Sequence, residues 1–405
     1  MAPKFPIPCE LQHDLRYVEL EDTRSDQEIL QSLAQHVPIT SEKNIWAFWH
    51  AGIASMPTWC QRNVVNWVRL CPTWTVRVLD NVPESPNYAM VWVSKDMLPE
   101  CFTNRTMDGP WTGPHSADFL RGPCLYLYGG AWVDVGCILV RSIDDMCWNQ
   151  LQDASSPFTV AAPWAFDLCI ANYFIAARKG DLFVKHWHVQ PISGLISRHA
   201  IFMALWHGQT NCADLGSHPL LAEVLPQIKF GQNPFKLHFN ISPKTLAGYV
   251  AQIAAWARLC MIEEPHGGFN GRAYYREHIM LFNAITETSP ERLLPHCTAE
   301  DILRVFKTKL DADPESASYR TAHKLIWGIL AKSSMLKVAH AKHLTKSPQL
   351  GIYLDQKENE NLDIGPNTFF ELLRYGSVHF EQVRKEMDIH EIEPYEAVIR
   401  KGILD

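Results

Sequence analysis

Residues 115–141 read HSADFLRGPCLYLYGGAWVDVGCILVR, and this stretch decides the fold. Its first half predicts a helix with Ser116 as the N-cap and Gly129 just beyond the last turn, because serine and glycine favour those positions. Residues 131–133 then predict a short buried strand that ends at Asp134. An acid at the end of a strand lies where open α/β sheets form their ligand crevice. The alternative is that Asp134 only begins a turn.

The chain upstream predicts a strand, a helix and a second strand. Residues 45–49 form an apolar run typical of a buried strand, and Pro57 fits the first position of the helix that follows. Residues 74–79 alternate in polarity as a half-buried strand does. A unit of this kind implies two parallel strands joined by a right-handed crossover. The sequence therefore predicts an α/β fold.

The composition, with 47% hydrophobic and 20% charged residues in a chain of 405, favours a globular protein with a large core. The net charge of −7 gives no general attraction to nucleic acid or to an anionic membrane. No apolar run reaches the length of about 18 residues that spans a bilayer, and no signal peptide is evident. Eleven cysteines without a CxxC pair predict reduced, buried thiols. We therefore expect a cytoplasmic protein without a membrane partner.

The C-terminal quarter of the chain predicts helices. Thr298 and Asp301 have the spacing of a capping box, which begins one helix, and a longer helix is expected over residues 316–344. We also expect a helix over residues 244–261, whose apolar residues recur at helical spacing. The predicted organisation has three parts: an N-terminal leader (1–43), a catalytic domain (44–290) and a helical C-terminal extension (291–405).

The segment around Asp134 resembles the nucleotide-sugar site of glycosyltransferases with the GT-A fold, especially those of the capsular polysaccharide synthesis family. In that family a Ser-Asp-x-x-Arg helix precedes Tyr-Gly-Gly and a strand that ends in Asp-x-Asp. The resemblance implies a GT-A (Rossmann-like) mixed sheet flanked by helices, in which Asp134 holds a divalent cation or the donor. The residues implied to bind substrate beside it are Asp118, Arg121, Gly129 and Gly130.

One position departs from the pattern of the family, because Gly136 stands where the second acid is expected. Hard divalent cations need several oxygen ligands, and a single carboxylate makes a poor site for them. The sequence therefore predicts no metal ion and no other cofactor. Mn²⁺ or Mg²⁺ with a nucleotide sugar belongs to the alternative in which the protein is a glycosyltransferase.

Four more residues are candidates for the site. Asn172 resembles an asparagine that faces the acceptor in the family, and in its apolar surroundings it needs a hydrogen-bond partner, which is either a ligand or the backbone. Glu263 and Glu264 follow the helix predicted over residues 244–261, in a polar loop suited to closing over a substrate. His278 resembles a late histidine that completes the cation or diphosphate site in relatives.

The main functional prediction combines the missing acid with the expected cytoplasmic location. Some fungal proteins that resemble the capsular family are cyclodipeptide synthases, which join arginine from an aminoacyl-tRNA to a second amino acid as a diketopiperazine. Aminoacyl transfer needs no metal, but it needs a base and an anion for the guanidinium group. We assign these catalytic roles to Asp134, Glu263 and Glu264, with aminoacyl-tRNA, including Arg-tRNA, as the partner.

Two alternatives remain. The first is a cytosolic glycosyltransferase that uses a nucleotide-sugar donor and a small-molecule acceptor, and the acidic net charge favours it because tRNA binding depends on phosphate contacts. The second is a binding protein that has kept the fold and lost catalysis.

Overall fold

The computed structural model describes residues 3–188, 200–228, 239–294, 298–339, 342, 344–345, 349–391 and 395–405. Within these ranges, no helix has both the length and the apolar character needed to cross a lipid bilayer. The described cysteines are ten free thiols, and all except Cys9 are buried. The cytoplasmic location stays a prediction.

A seven-stranded mixed sheet lies at the centre of the molecule, and two smaller sheets of two strands each flank it. The strands are β1 (Leu15–Tyr17), β2 (Asn44–Phe48), β3 (Thr75–Leu79), β4 (Gly130–Val133), β5 (Cys137–Leu139), β6 (Val160–Ala165), β7 (Cys169–Ile170), β8 (Phe174–Ala177), β9 (Ile279–Asn283), β10 (Met335–Lys337) and β11 (Phe380–Gln382). The order in the central sheet is β3-β2-β4-β8-β6-β7, with β9 beside β6.

Helices cover both faces of the central sheet. Those in the described residues are α1 (Asp26–Leu33), α2 (Thr58–Leu70), α3 (Ala89–Trp92), α4 (Glu100–Thr103), α5 (Thr112–Tyr128), α6 (Asn149–Gln152), α7 (Leu182–His188), α8 (Ile201–Leu205), α9 (Pro219–Ala222), α10 (Pro243–Tyr249), α11 (Ala251–Met261), α12 (Gly271–His278), α13 (Ala284–Thr288), α14 (Ala299–Phe306), α15 (Ala317–Lys332), α16 (Leu350–Leu354) and α17 (Phe369–His379). The predicted α/β class, a mixed sheet flanked by helices with a helical C-terminal region, is confirmed.

The predicted strand–helix–strand unit is present as β2, α2 and β3. β2 and β3 are parallel, with registers running from Asn44 opposite Thr75 to Phe48 opposite Leu79. β4 pairs with β2 on its other side and is also parallel to it. Because side chains alternate along a strand, Ala131 and Val133 of β4 face the core under α2, α15 and α17, while Trp132 faces the core under α5, α7 and α11.

The helix that carries the decisive motif begins earlier than the sequence predicts. α5 starts at Thr112, so Ser116 is not its N-cap, and the Ser116 hydroxyl donates instead to the carbonyl oxygen of Thr112 at 2.7 Å. Pro114 falls in the first turn, where helical N–H groups have no partner within the helix and a proline is tolerated. The helix ends as predicted, with Gly129 at its C-terminus at a φ of 71°.

The described part of the C-terminal region contains two unpredicted strands, β10 and β11. The expected helix over residues 316–344 ends at Lys332, and β10 follows it; positions 340, 341 and 343 lie outside the described residues. Ser334 ends the helical pattern, because its N–H and its hydroxyl both bond to Glu287, at 2.8 and 2.6 Å. β10 then pairs antiparallel with β5, and Lys337 lies opposite Cys137.

Other predicted features of the helices have mixed outcomes. The capping box of Thr298 and Asp301 is confirmed at the start of α14. The helix expected over residues 244–261 is divided into α10 and α11 at Val250, whose ψ of 19° interrupts the helical backbone. The domain boundary expected after residue 290 stays a prediction, although residues on both sides of it share one core.

Candidate active site

Several strand ends meet at one edge of the central sheet. β2 and β4 are parallel, so their carboxyl ends reach the same edge, and β8 is antiparallel to β4, so it begins there. Asp134 follows β4, while Asn172 and Tyr173 precede β8. The backbone N–H of Asp134 donates to the carbonyl oxygen of Tyr173 at 2.9 Å. Asp134 therefore lies in the crevice at the carboxyl ends of the parallel strands.

Helix α5 adds a buried ion pair to this edge. Asp118 and Arg121 are three residues apart on one face of the helix, and Arg121 Nη1 donates to Asp118 Oδ1 at 2.6 Å. Arg121 Nη2 lies 3.4 Å from Asp134 Oδ1, and the guanidinium packs over the ring of Trp132. With only 2% of its side chain exposed, Arg121 joins two carboxylates from inside the protein.

Lys337 contacts the other oxygen of the same carboxylate. Its ammonium donates to Asp134 Oδ2 at 2.8 Å, while Trp132 Nε1 donates to Oδ1 at 3.1 Å. Burial acts to raise the pKa of Asp134, but Lys337 and Arg121 outweigh burial and lower that pKa below its ordinary value. Burial acts to lower the pKa of Lys337, and the Asp134 carboxylate outweighs it, so this pKa is raised. Both groups are therefore charged at neutral pH.

Two amide side chains hold the Asp118–Arg121 pair in place. Gln252, near the start of α11, donates to the carbonyl oxygen of Asp118 at 2.7 Å, and its Oε1 accepts from both Arg121 and Asn172. Asn172 also donates to Asp118 Oδ1 at 3.2 Å. These two amides form hydrogen bonds with buried polar atoms of the pair that the ion pair itself leaves without partners. They therefore fix the position of the ion pair.

Histidines lie on two sides of Asp118. Nδ1 of His115 lies 3.3 Å from Asp118 Oδ2; burial lowers the pKa of this histidine, but the Asp118 carboxylate outweighs burial and the pKa rises to about 9. His188 Nε2 lies 2.7 Å from the carbonyl oxygen of Asp118, to which it must donate, and burial lowers its pKa to about 3. Asp118 thus lies between the side chains of His115 and Arg121, while His188 is a neutral packing residue.

These groups form one end of a cavity of about 470 Å³. Asp118, Arg121, Asp134 and Lys337 lie at the charged end. The remaining wall is largely aromatic and aliphatic, and it includes Trp49, Trp59, Trp111, Tyr249, Ile253 and Ile352. A second ion pair, Lys342 with Asp355 at 3.0 Å, also lines the cavity. A cavity with a charged end and a largely apolar wall suits a ligand that has one charged part and one apolar part.

The donor set does not fit a divalent cation. Gly136 lines the cavity without offering an oxygen from a side chain, and both oxygens of Asp134 face cations. In the part of the chain that the structure describes, no three histidine, cysteine, aspartate or glutamate side chains lie close enough together to hold a metal ion. The described residues therefore do not offer the Mn²⁺ or Mg²⁺ of the glycosyltransferase alternative the set of oxygen ligands that such ions require.

Comparison with known proteins identifies the family. Residues 8–189 match the model of the family described as "Capsular polysaccharide synthesis protein". The chain is 42% identical over 405 residues to "Probable glycosyltransferase FCK3" of Fusarium pseudograminearum, with 99% of each chain covered. The protein belongs to this family of glycosyltransferases.

Further relatives have similar names. The "O-glycosyltransferase braB" of Annulohypoxylon truncatum is 36% identical over 396 residues, with 95% of this chain and 91% of the relative covered. A solved structure titled "PaToxG Glycosyltransferase" covers 40% of this chain and 64% of that chain at 14% identity, and its TM-score of 0.24 is too low to bear on the fold. The predicted enzyme class, a transferase, agrees with these names.

The main functional prediction from the sequence is wrong. Relatives that cover nearly the whole chain are named glycosyltransferases, and none of those names indicates a tRNA-dependent cyclodipeptide synthase. Aminoacyl-tRNA, including Arg-tRNA, is withdrawn as the partner for the same reason. The prediction gave too much weight to Gly136, since the loss of one metal ligand does not by itself remove sugar transfer.

The structure brings four of the predicted site residues together and separates the two glycines from them. Asp118, Arg121, Asp134 and Asn172 all line the cavity. Gly129 and Gly130 lie at the opposite end of β4, roughly 13–17 Å from Asp134 at the usual rise per residue. A Cβ atom at Gly130 would lie 2.2 Å from the carbonyl oxygen of Asn44, and φ is 105° there, so the backbone requires this glycine. The structure therefore does not bring Gly129 and Gly130 to the cavity, and their assignment as substrate-binding residues stays a prediction.

Glu263, Glu264 and His278 also lie outside the cavity. The Glu264 carboxylate accepts from the backbone N–H groups of Phe269 and Ile403, at 2.8 and 3.0 Å. Glu263 pairs with Arg400 at 3.4 Å, and His278 Nδ1 lies 2.8 Å from the carbonyl oxygen of Pro157. The reason is the direction of α11, which begins at the site and carries its last residue roughly 15 Å away from it. The structure therefore does not bring these three residues together with Asp134, and their assignment to its site stays a prediction.

Two residues of the cluster were missed. Lys337 lies in the segment that the sequence predicts to be helical, and nothing local in Met335-Leu-Lys337 indicates a site. Gln252 offered a weak signal, because it is the one amide in the otherwise apolar first half of α11. A polar side chain in such surroundings needs a partner.

Proposed function

We propose that this protein transfers a sugar from a nucleotide-sugar donor to a hydroxyl group of an apolar small molecule. The observation that carries the proposal is that one cavity is lined both by the cations beside Asp134 and by a group of aromatic residues. The name of one relative, "O-glycosyltransferase braB", agrees with a hydroxyl acceptor.

The charged end of the cavity suits the donor. In sugar transfer the bond between the anomeric carbon and the diphosphate breaks, and negative charge develops on the leaving oxygen. Fixed cations in a site sheltered from water stabilise that charge. Asp118 and Asn172 offer an oxygen and an amide for hydroxyl groups of the donor. The lowered pKa of Asp134 makes it a weak base, so we assign it to holding the cations and the donor rather than to removing a proton.

The apolar wall suits the acceptor. Trp111 and Tyr249 pack edge to face with their ring centroids 5.3 Å apart, and Trp49, Trp59, Ile253 and Ile352 extend the same surface. Rigid aromatic side chains give a flat apolar molecule a large contact area, while its hydroxyl group points to the charged end. A strongly polar acceptor would leave its hydrogen-bonding groups unsatisfied against this wall.

A direct assay tests the proposal. The purified protein is incubated with a panel of nucleotide sugars and apolar alcohols; the released nucleoside diphosphate is measured, and the glycoside is detected by mass spectrometry. We expect release that depends on the acceptor, together with a product whose mass has increased by one sugar. If nucleoside diphosphates bind but no donor is consumed with any acceptor, the protein is an inactive binding protein and the proposed transfer is wrong.

Replacing Trp111 with alanine tests the acceptor wall. We expect the KM for the acceptor to rise about tenfold in Trp111→Ala, because the loss of a large apolar contact weakens binding by roughly 1.5 kcal/mol. The KM for the donor should stay near the wild-type value, since the Trp111 indole donates to the carbonyl oxygen of Lys342 and, among the described residues, not to the groups around Asp134. Trp111→Phe keeps an aromatic ring and should lose less. An equal rise in both KM values would contradict a separate acceptor surface.

A further inference from the structure

Lys337 occupies the boundary between Asp134 and the open cavity. Its side chain is 12% exposed, and its ammonium lies 5.0 Å from the centre of the Tyr173 ring. Within the described residues, Asp134 accepts the one hydrogen bond that this ammonium donates. An ammonium carries three N–H donors, so two of them remain for a ligand in the cavity.

The Lys337 ammonium lies in a position like that of a divalent cation in a nucleotide site. A divalent cation in a nucleotide site is held by a protein carboxylate on one side and binds phosphate oxygens on the other. Lys337 already has the carboxylate of Asp134 on one side and the cavity on the other. Asp118, the second carboxylate at the charged end, already pairs with Arg121 and His115, and Gly136 stands where the second acid of the family is expected.

Arg121 differs from Lys337 in its access to a ligand. Its side chain is 2% exposed, and its guanidinium is engaged by Asp118, Gln252 and Asp134. It therefore acts through Asp134, whose position it fixes. The pairing of β10 with β5 holds Lys337 on the opposite side of the carboxylate. Of these two cations, Lys337 has the larger exposed fraction, 12% against 2%, while Lys342, a third cation that lines the cavity, pairs with Asp355 at 3.0 Å.

We propose that Lys337, held by Asp134, binds the diphosphate of the donor in place of a divalent cation, so that donor binding and sugar transfer need no metal ion. This inference rests on the proposed function. In the transfer, the bond from the anomeric carbon to the diphosphate breaks with its electron pair passing to the diphosphate oxygen. The acceptor oxygen forms the new bond and releases its proton to the solvent. The Lys337 ammonium keeps its protons and balances the charge of the leaving diphosphate.

Calorimetric titration of the full chain tests the inference. UDP, GDP and dTDP serve as probes, each titrated once in EDTA and once in Mn²⁺, into the wild type and three variants. Lys337→Met removes the charge and keeps much of the length of the side chain, while Lys337→Arg keeps the charge. Lys385→Met is the matched control, because Lys385 pairs with Asp145 at 3.0 Å on the surface outside the cavity.

We expect at least one of the diphosphates to bind the wild type with the same Kd in EDTA and in Mn²⁺. Lys337→Met should weaken this binding at least about tenfold, while Lys385→Met should not change it and Lys337→Arg should lose less. The loss should also be larger for the diphosphate than for the corresponding nucleoside, a difference that a purely structural role would not produce.

Three outcomes would overturn the inference; the first two leave the proposed function standing, and the third rejects it as well. Binding that Mn²⁺ strengthens at least about tenfold in the wild type, or that Lys337→Met leaves unchanged in a folded variant, would reject the role of Lys337 and leave the proposed function standing. If no nucleoside diphosphate binds in either medium, nucleotide-sugar transfer itself is wrong. The wild-type comparison in EDTA and Mn²⁺ does not depend on whether any variant folds.

Discussion

Asp134→Asn should lower the kcat of sugar transfer at least about 100-fold, the usual range for the loss of one preorganised electrostatic contact. Asparagine has nearly the same shape as aspartate, but it cannot form ion pairs with Lys337 and Arg121. Both cations would then lose their common anchor, and the charge that faces the donor would no longer be fixed in position. The effect should fall on kcat more than on the KM of the acceptor.

The stability of Asp134→Asn separates this loss from unfolding. The Asp134 side chain is 31% exposed, and Arg121 keeps its partner Asp118, so we expect the variant to lose only about 1–2 kcal/mol of stability. Asp167→Asn is the matched control, because its side chain is 81% exposed outside the cavity. An Asp134→Asn variant that keeps wild-type turnover would remove Asp134 from the active site.

Asp363→Ala should give the largest loss of stability, about 3–5 kcal/mol, as expected when one partner of a buried ion pair is removed. The Asp363 side chain is fully buried and pairs with Arg62 at 2.5 Å and with Arg374 at 2.6 Å. Arg374 also donates to Asn63 and to the carbonyl oxygen of Trp59. Without Asp363, two cations would stay buried with no carboxylate beside them. Chemical denaturation followed by circular dichroism measures the loss.

A surface ion pair provides the control for this prediction. Glu315 pairs with Arg320 at 3.1 Å, and 88% of its side chain is exposed, so Glu315→Ala should cost less than about 0.5 kcal/mol. Equal losses in the two variants would contradict the assigned role of Asp363.

The loss caused by Asp363→Ala should depend on pH in a defined direction. Burial acts to raise the pKa of Asp363, but Arg374 and Arg62 outweigh it and lower the pKa below 3.8. A carboxylate with a depressed pKa in the folded state stabilises the protein above the unfolded-state pKa, and this contribution disappears as the pH falls through the folded-state pKa. The difference between wild type and Asp363→Ala should therefore stay constant near neutral pH and shrink below about pH 4.

The sequence predicts the parts of the site that depend on local patterns. The spacing of Asp118 and Arg121 places them on one helical face, and the end of an apolar run places Asp134 at a sheet edge. Both predictions depend only on patterns that repeat within a few residues. Asn172 follows from the same reasoning, because a polar group in an apolar run needs a partner. The start of α5 was misplaced by one turn, since Thr112 and Ser116 are both acceptable near a helix N-terminus.

The parts that were missed depend on contacts between distant segments. Lys337 follows a helical pattern, and nothing in the neighbouring sequence indicates a strand. The helix ends before Lys337 because Ser334 bonds to Glu287, which is 47 residues away in the sequence. The resemblance to the capsular polysaccharide synthesis family is confirmed, whereas the prediction of a cyclodipeptide synthase is wrong. The missing acid at Gly136 suggested different chemistry, whereas the structure shows that a cation from another segment reaches the same carboxylate.

The pairing of β10 with β5 has a consequence for the engineering of chimeric enzymes. The two halves of the ion pair are encoded 203 residues apart, and the segment that matches the family model, residues 8–189, contains only Asp134. A chimera that exchanges this segment alone between two relatives inherits the carboxylate from one parent and the lysine from the other. Exchanges designed to alter donor choice should therefore move both segments as a matched set.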